Sequence, residues 1–589
     1  MNRSRRPIAE RQSPDPRSYD LGHQTVSALV SSIEGHRTLA LLGLATLVLK
    51  SLIFAPISLW PLTFVCLVPW LILVGASTHA PRVYFYSYVW ALAFFLIDMH
   101  WLYEATGAGY VALSIYLAAY FPLMACPLRH VIRRRRIPLA IAFPCVWVGG
   151  ELLRAVVISG FPWFFLSHSL YKVLTLIQVS DLVGAYGVSF VAAAVNGAIA
   201  DCIFLRRRSP ADSESDPSGG RLRRRARMGA GFAGFVVVAA CVYGQVQLHR
   251  DTEGVGPKVA VIQGDYVMTV DADEADDVEK RNTYFAMMQA AAREKPDLYL
   301  LPETPWIMYL NPEARDFKYP PLSRSSFQAL QKHAAENNAY VVTGSASLVL
   351  TPYDLLSKER RHNSATVFHP DGREPGRYDK VHLVYFGEVV PFQFGKLRFL
   401  YFWMNRLMPF SGPDGDYEYS LFRGEGFHSF EMRPASQPGR TFRFGIPICY
   451  EDVMPYVARE FAHGGDAKRV DFLLNISNDG WFGRSIQQPQ HLAICVFRAV
   501  ENRVGAARSV NTGVSAFVDP SGRIHDGVVG KTDDPWPRNA GFSVANVGVD
   551  SRYTLYTRFG DWFGWGCALL WLLLFLDYWI MRARMLIED

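Results

Sequence analysis

Apolar residues gather into long runs near both ends of the chain and alternate with polar residues in the middle. The runs lie at 39–54, 57–76, 83–103, 109–128, 138–158, 183–205, 229–248 and 562–581. Each is close to the ~20 residues that cross about 30 Å of hydrocarbon as a helix. The first is short and carries Lys50. Between 257 and 548 the pattern changes. Strand-like runs recur at 258–265, 297–303, 339–349, 442–450, 470–477 and 515–524, with helix-period stretches such as 277–293, 324–337 and 491–503 between them. Alternating strands and helices predict an α/β domain, and no fixed-period repeat is present. The expected organisation is a polar, disordered tail at 1–38, a seven-helix membrane domain at 39–248, an α/β domain at 249–560, and a last membrane helix with a short tail at 561–589. The fold class is thus a membrane α-helical bundle of about eight spans joined to an α/β domain.

Composition agrees with a membrane protein carrying a large water-exposed part. Of 589 residues, 50% are hydrophobic and only 19% charged, against about 25% in soluble domains. Intrinsic disorder of the whole chain and a disulfide scaffold are excluded, the second because there are only eight Cys. Residues 1–38 lack the basic region, apolar run and cleavage site of a signal peptide.

The charge is distributed by topology. With the N-terminus in the cytoplasm, the segments expected inside hold 22 Arg, and the outside loops between the first six helices hold Lys172 alone. Seven crossings then place 249–560 outside the cytoplasm, and the eighth returns the C-terminus inside. The expected location is a cell (inner) membrane crossed several times, with the α/β domain periplasmic. The Arg clusters at 129–136 and 221–227 sit tightly between spans, which argues against a nucleic-acid partner. The aromatic loop 159–182 suits either an interfacial stretch or a re-entrant packing segment. The apolar segment 392–424 suits a lid, a membrane-facing arm or a buried helix.

Six cysteines (Cys66, Cys126, Cys145, Cys202, Cys241, Cys567) fall in expected spans and read as small apolar fillers. Cys449 and Cys495 fall in the α/β domain, where a disulfide between them is one alternative. Cys495 lies in the middle of a helical pattern. Cys449 ends an apolar strand and is followed by Tyr450, Glu451 and Asp452, a poor place for packing and a good one for chemistry. No CxxC, HExxH or His/Cys cluster appears, so neither a metal nor another cofactor is expected. Glu303 ends another strand in LLPETPW, and Lys380 and Glu388 lie in the loop YDKVHLVYFGEVVP. Taken singly, Glu303 is equally a helix cap and Lys380 a surface cation. Together with Cys449 they make a base, an oxyanion partner and a nucleophile, the set that acyl transfer needs.

The order of PET at Glu303, DKVHL at Lys380 and GIPICYED at Cys449 resembles the nitrilase (carbon–nitrogen hydrolase) superfamily. Further motifs are similar to the apolipoprotein N-acyltransferase family within it: FGEVVP (386–391), CYE (449–451), LLNISNDGWFG (473–483), PQH (489–491), RSVNTGVSAF (508–517), WVGGELLRAVVISGFPW (147–163) and TLYTRFGDWF (554–563). The resemblance implies an α-β-β-α sandwich and a Glu303–Lys380–Cys449 triad, with Glu388, Tyr450 and Glu451 in supporting or pocket roles. It also implies transfer of an acyl chain from a phospholipid, through a thioester on Cys449, to the α-amine of a lipoprotein's diacylglyceryl-cysteine. A membrane-tethered amidase releasing its acyl group to water is the alternative.

Overall fold

The computed structural model describes residues 35–77, 79–135, 137–206, 217–268, 274–315, 320–350, 359–393, 395–406, 420–528 and 539–588. The expectation for 1–34, and that for the centre of 392–424, lie outside them. Among the described residues, 6 helices are long and apolar enough to cross a membrane: Ala80–Asp98, Gly107–Arg134, Leu139–Val156, Ala185–Leu205, Leu222–Leu248 and Trp562–Arg584. Five of these precede the α/β domain, and two of the eight expected runs form shorter apolar elements. The run 39–54 forms a 17-residue helix, His36–Leu52. The run 57–76 is broken into a 3₁₀ turn, Trp60–Phe64, and a nine-residue helix, Val68–Ala76. Pro61 and Pro69 each stand in the first turn of these pieces, where the missing N–H costs nothing. In a continuous helix each would remove a hydrogen bond and clash with the preceding turn. Hydropathy counts the apolar residues but not these breaks.

Two 6-stranded sheets make the second part. The strands are β1 (Glu253–Gln263), β2 (Leu298–Leu300), β3 (Tyr340–Leu350), β4 (Glu359–Phe368), β5 (Gly376–Asp379), β6 (Ser429–Met432), β7 (Phe442–Gly445), β8 (Phe472–Ser477), β9 (Gly505–Val510), β10 (Ala516–Val518), β11 (Ile524–His525) and β12 (Gly541–Asp550). One sheet runs β12-β1-β2-β3-β4-β5 and the other β11-β10-β9-β8-β7-β6. Strands β1, β2 and β3 are parallel, as are β7, β8 and β9.

Side chains alternate across each strand. Val259, Val261, Leu298 and Leu300 enter the core shared with Phe444, Phe472 and Leu474 of the other sheet. Their neighbours Ala260, Ile262, Tyr299 and Leu301 pack with residues of the helices Glu274–Ala291 and Pro320–Glu336. Helices Pro455–Ala462 and Gln487–Asn502 pack against the second sheet: Gly445 of β7 lies against the Phe461 ring, and Arg508 of β9 reaches Asp452 between the two helices. The result is the α-β-β-α sandwich.

Helix Gln487–Asn502 lies at the contact between the two parts. Every one of its residues except Pro489 is buried, although its sequence is half polar. Two of its polar side chains bond to the membrane helices and their loops. Trp101 and Trp163 both donate to Gln490 Oε1, at 3.2 and 2.9 Å, and the Ala185 N–H donates to Glu501 at 2.9 Å. At its C-terminal end Arg503 bonds Asp181 at 2.6 Å and Gln178 at 2.6 Å. The loop 159–182 is therefore a packing platform that bears the α/β domain, with Trp163, Phe164 and Phe165 all buried.

Candidate active site

Four strand ends converge on one locality, as ligand sites do at the carboxyl ends of parallel strands. β7 leads through Ile446-Pro447-Ile448 into a 3₁₀ turn, Cys449–Asp452, and Cys449 takes φ +52°. A non-glycine residue in this left-handed region is strained, and such strain gathers at functional positions. Glu451 holds the turn. It is fully buried, and its carboxylate accepts from the Ile448 N–H at 2.9 Å, the Tyr378 hydroxyl at 2.9 Å, and the N–H groups of Val381 and His382 at 2.8 and 2.9 Å. One side chain thus ties the Cys449 turn to the loop that follows Lys380. Burial pushes Glu451 up to about 7 against the pull of these donors.

Glu303 follows β2 and is 6% exposed. Its Oε2 accepts the Asn478 N–H at 2.9 Å and its Oε1 the Asn363 amide at 2.6 Å. The Asn363 side-chain nitrogen also donates to Glu388 at 2.9 Å, and the Asn363 carbonyl accepts the Lys380 N–H at 2.8 Å. Lys380 Nζ lies 2.9 Å from Glu388 Oε1 and 3.7 Å from Glu303 Oε1. Burial works against the ammonium charge, but Glu388 and then Glu303 outweigh it and hold Lys380 above its ordinary range. The Cys449 thiol is pushed well up, first by burial and then by the Glu303 charge. Lys380 and a hydrogen bond with Ser477 act the other way. Resting Cys449 is therefore a neutral thiol beside a carboxylate and an ammonium. A thiol in that state is nucleophilic only once a base has taken its proton.

Two glycines permit the closeness. A Cβ on Gly344 of β3 would stand 2.6 Å from Glu303 Cα and 2.4 Å from the Thr304 nitrogen. Gly344→Ala should therefore shift Glu303 and slow acyl transfer by about 10²-fold, the scale of an ~1 Å misplacement, with overall folding retained. Initial rates together with a thermal melt check this. Gly160, at φ +87°, closes the turn after helix Leu139–Val156, where a Cβ would meet the Ala155 carbonyl. The Gly160 carbonyl accepts the Tyr450 hydroxyl at 3.2 Å, so the residue beside Cys449 is bonded directly to the membrane platform.

The structure brings together Glu303, Lys380, Glu388 and Cys449, with Tyr450 and Glu451 in the Cys449–Asp452 turn. Asn363 and Asn478 complete the hydrogen bonds of Glu303; Asn478 lies inside the motif quoted at 473–483, and Asn363, inside ERRHNSATVF, has no distinguishing sequence signal. Among the described residues no group of three or more metal-ligating side chains occurs. Cys449 and Cys495 are both free thiols, so no disulfide joins them. Cys495 is 2% exposed inside the helix, and burial raises its thiol to about 12. Cys495→Ala should cost about 1 kcal/mol of stability and leave the transfer rate unchanged, as measured by denaturation and initial rates.

Fold and site together define a membrane protein that carries a carbon–nitrogen hydrolase domain on a helical platform. Residues 258–533 match the carbon-nitrogen hydrolase family, and residues 48–198 match the apolipoprotein N-acyltransferase N-terminal domain. The chain is 30% identical over 534 residues to the apolipoprotein N-acyltransferase of Geobacter metallireducens, covering 88% of this chain and 91% of that protein. It is 26% identical over 525 residues to the one from Chlorobaculum tepidum, covering 86% and 89%. An amidase structure from Nesterenkonia sp. is similar at 15% identity, over 51% of this chain and 92% of that one, with a TM-score of 0.33. The chain belongs to the apolipoprotein N-acyltransferase family.

Proposed function

We propose that this enzyme moves an acyl chain from a membrane phospholipid to the α-amine of a lipoprotein's N-terminal diacylglyceryl-cysteine, in two half-reactions through Cys449. The observation that carries this is a thiol, a carboxylate and an ammonium held at strand ends and bonded through Tyr450 to the membrane platform. In the first half, Glu303 takes the thiol proton as Sγ attacks the ester carbonyl. Lys380 and a backbone N–H near Tyr450 stabilise the tetrahedral oxyanion, a contribution worth about 3–4 kcal/mol per donor. The C–O bond breaks, Glu303 returns the proton to the departing lysophospholipid oxygen, and a thioester remains on Cys449. In the second half, the lipoprotein amine attacks the thioester carbonyl and Glu303 takes a proton from the nitrogen. The C–S bond breaks, and that proton returns to sulfur as the amide leaves. Glu388 keeps Lys380 in place, while Tyr450 and Glu451 hold the turn.

The decisive test is mass spectrometry of the purified protein incubated with phospholipid alone. An acyl group on Cys449 is the expected result. Continuous release of free fatty acid without acceptor would establish the amidase-like alternative, in which water takes the acyl group.

The topology belongs to the same proposal, with 249–560 outside the cytoplasm and both ends of the chain inside. Five candidate spans before the domain, like seven, are an odd number and put it opposite the preceding Arg-rich turn. In support, Asp577 in the last helix bonds His130 at 2.8 Å and Arg135 in the 129–136 cluster, which places that cluster beside the C-terminal end. An impermeant maleimide added to intact spheroplasts should label Asp466→Cys and spare Arg224→Cys, both positions being exposed. The opposite pattern would invert the arrangement.

A further inference from the structure

Behind the nucleophile turn lies a buried group of charges that the two half-reactions do not use. His491, on helix Gln487–Asn502, is 2% exposed. Its Nε2 lies 2.6 Å from Asp452 Oδ1 and its Nδ1 2.9 Å from Asp479 Oδ2. An ionised carboxylate only accepts, so a ring with one at each nitrogen donates from both and carries a positive charge. Burial opposes that charge, but Asp452 and Asp479 outweigh it and hold the imidazolium up to about 9. Both carboxylates sit below their ordinary range: burial is overcome mainly by His491, with Arg508 adding to it.

The two carboxylates belong to the two walls of the site. Asp452 is the last residue of the turn that Cys449 begins, and Arg508 of β9 bonds its other oxygen. Asp479 accepts the Ser477 hydroxyl at 2.7 Å. Ser477 in turn reaches the Cys449 thiol, and Asn478 between them donates its N–H to Glu303. The ring lies beside Trp163 of the platform, with the centroids 5.7 Å apart and the planes tilted by 42°.

We propose that His491 is a positioning residue, clasped as an imidazolium by Asp452 and Asp479. It keeps the nucleophile turn in register with the segment that aligns Glu303, and it cancels the Asp479 charge that opposes ionisation of Cys449. The proposal rests on Cys449 being the nucleophile. The charged groups facing the ring are Asp452 from the turn, Asp479 from the segment after β8, and Arg508 from β9. On its own helix the titratable side chains are Cys495, whose thiol stays neutral below about 12, and Glu501, ten residues on from the ring, which burial pushes up to about 7 and which pairs with Arg498. Two carboxylates and two cations balance, so replacing the imidazolium leaves one negative charge uncompensated beside the thiol.

The test uses the full chain in detergent and reads two quantities. One is the pH at which Cys449 becomes half-reactive to iodoacetamide, followed by peptide mass spectrometry. The other is the lysophospholipid burst without acceptor. In His491→Gln the midpoint should rise by about one pH unit, the scale of one uncompensated neighbouring charge. The burst should slow by about 10- to 100-fold while its amplitude stays near one per enzyme. Asp479→Asn/His491→Gln restores the charge balance and should bring the midpoint back toward wild type, which a mere packing role would not do. An unchanged midpoint and burst rate in His491→Gln would overturn the positioning role and leave the Cys449 chemistry standing. Should His491→Gln fail to fold, the double variant decides: a near-wild-type midpoint supports the charge role, and a raised one overturns it. Absence of any acyl group on wild-type Cys449 would instead remove the chemistry on which the proposal rests.

Discussion

Cys449→Ser should leave a folded protein that no longer transfers acyl chains, with a loss of at least about 10³-fold. The thiol here is not pre-ionised, because burial and Glu303 both hold its proton on. In the proposed mechanism it hands that proton to Glu303 during attack. A serine hydroxyl is far less acidic than a thiol, and a carboxylate partner is too weak a base to ionise it as readily. The hydroxyl is also smaller, so at the strained φ of +52° it cannot reach as far toward the ester carbonyl. A thermal melt indistinguishable from wild type, beside an absent acyl adduct by mass spectrometry, is the expected pair of results. Transfer at the wild-type rate would remove Cys449 from the chemistry. Cys495→Ala is the control, since a second buried thiol on the same domain should be dispensable.

The second large effect concerns the groups that make the thioester. With phospholipid and no acceptor, rapid-quench measurement should give a burst of about one lysophospholipid per enzyme, then near silence if water is kept from the thioester. Glu303→Gln keeps the shape and can still accept the Asn478 N–H, but it cannot take a proton. The burst rate should fall by about 10²- to 10⁴-fold, the range for general-base loss. Lys380→Met removes the cation between Glu303 and Glu388. It should cost about 3–4 kcal/mol of barrier through the oxyanion. It should also cost stability, because two buried carboxylates then face each other without a counter-charge. Glu388→Gln keeps the hydrogen bond from Lys380 and should lose only part of the burst rate. With both substrates present, one thiol carrying the acyl group forces ping-pong kinetics. Intersecting double-reciprocal lines without a burst would mean direct transfer in a ternary complex.

The site was legible in the sequence as far as single residues advertise themselves. A cysteine at the end of an apolar strand followed by acidic residues, a Glu at another strand end and a Lys in a Gly-punctuated loop all stand out locally. Asn363 does not. It lies in a strand with a charged beginning, and its importance comes from partners 60 and 25 residues away, Glu303 and Glu388. The strands β4, β5, β6, β9 and β12 were missed for a related reason. Their apolar content is too low or too interrupted for a local pattern, and they are strands because a neighbour pairs with them.

By itself, the sequence determined the properties that depend on transfer between water and an apolar phase. Those are the positions of the long apolar runs, the Arg bias between them, and the strand-like runs of β1 and β2. Burial of apolar surface scales with the residues present, so it can be read locally. Tertiary structure alone decided what depends on geometry between distant segments. It broke the run at 57–76 at its prolines. It buried the half-polar helix Gln487–Asn502 between the second sheet and the platform. It set His491 between Asp452 and Asp479, 39 and 12 residues away. A hydrogen bond or ion pair is directional and short-ranged, so its partner is chosen by the fold and not by the spacing along the chain.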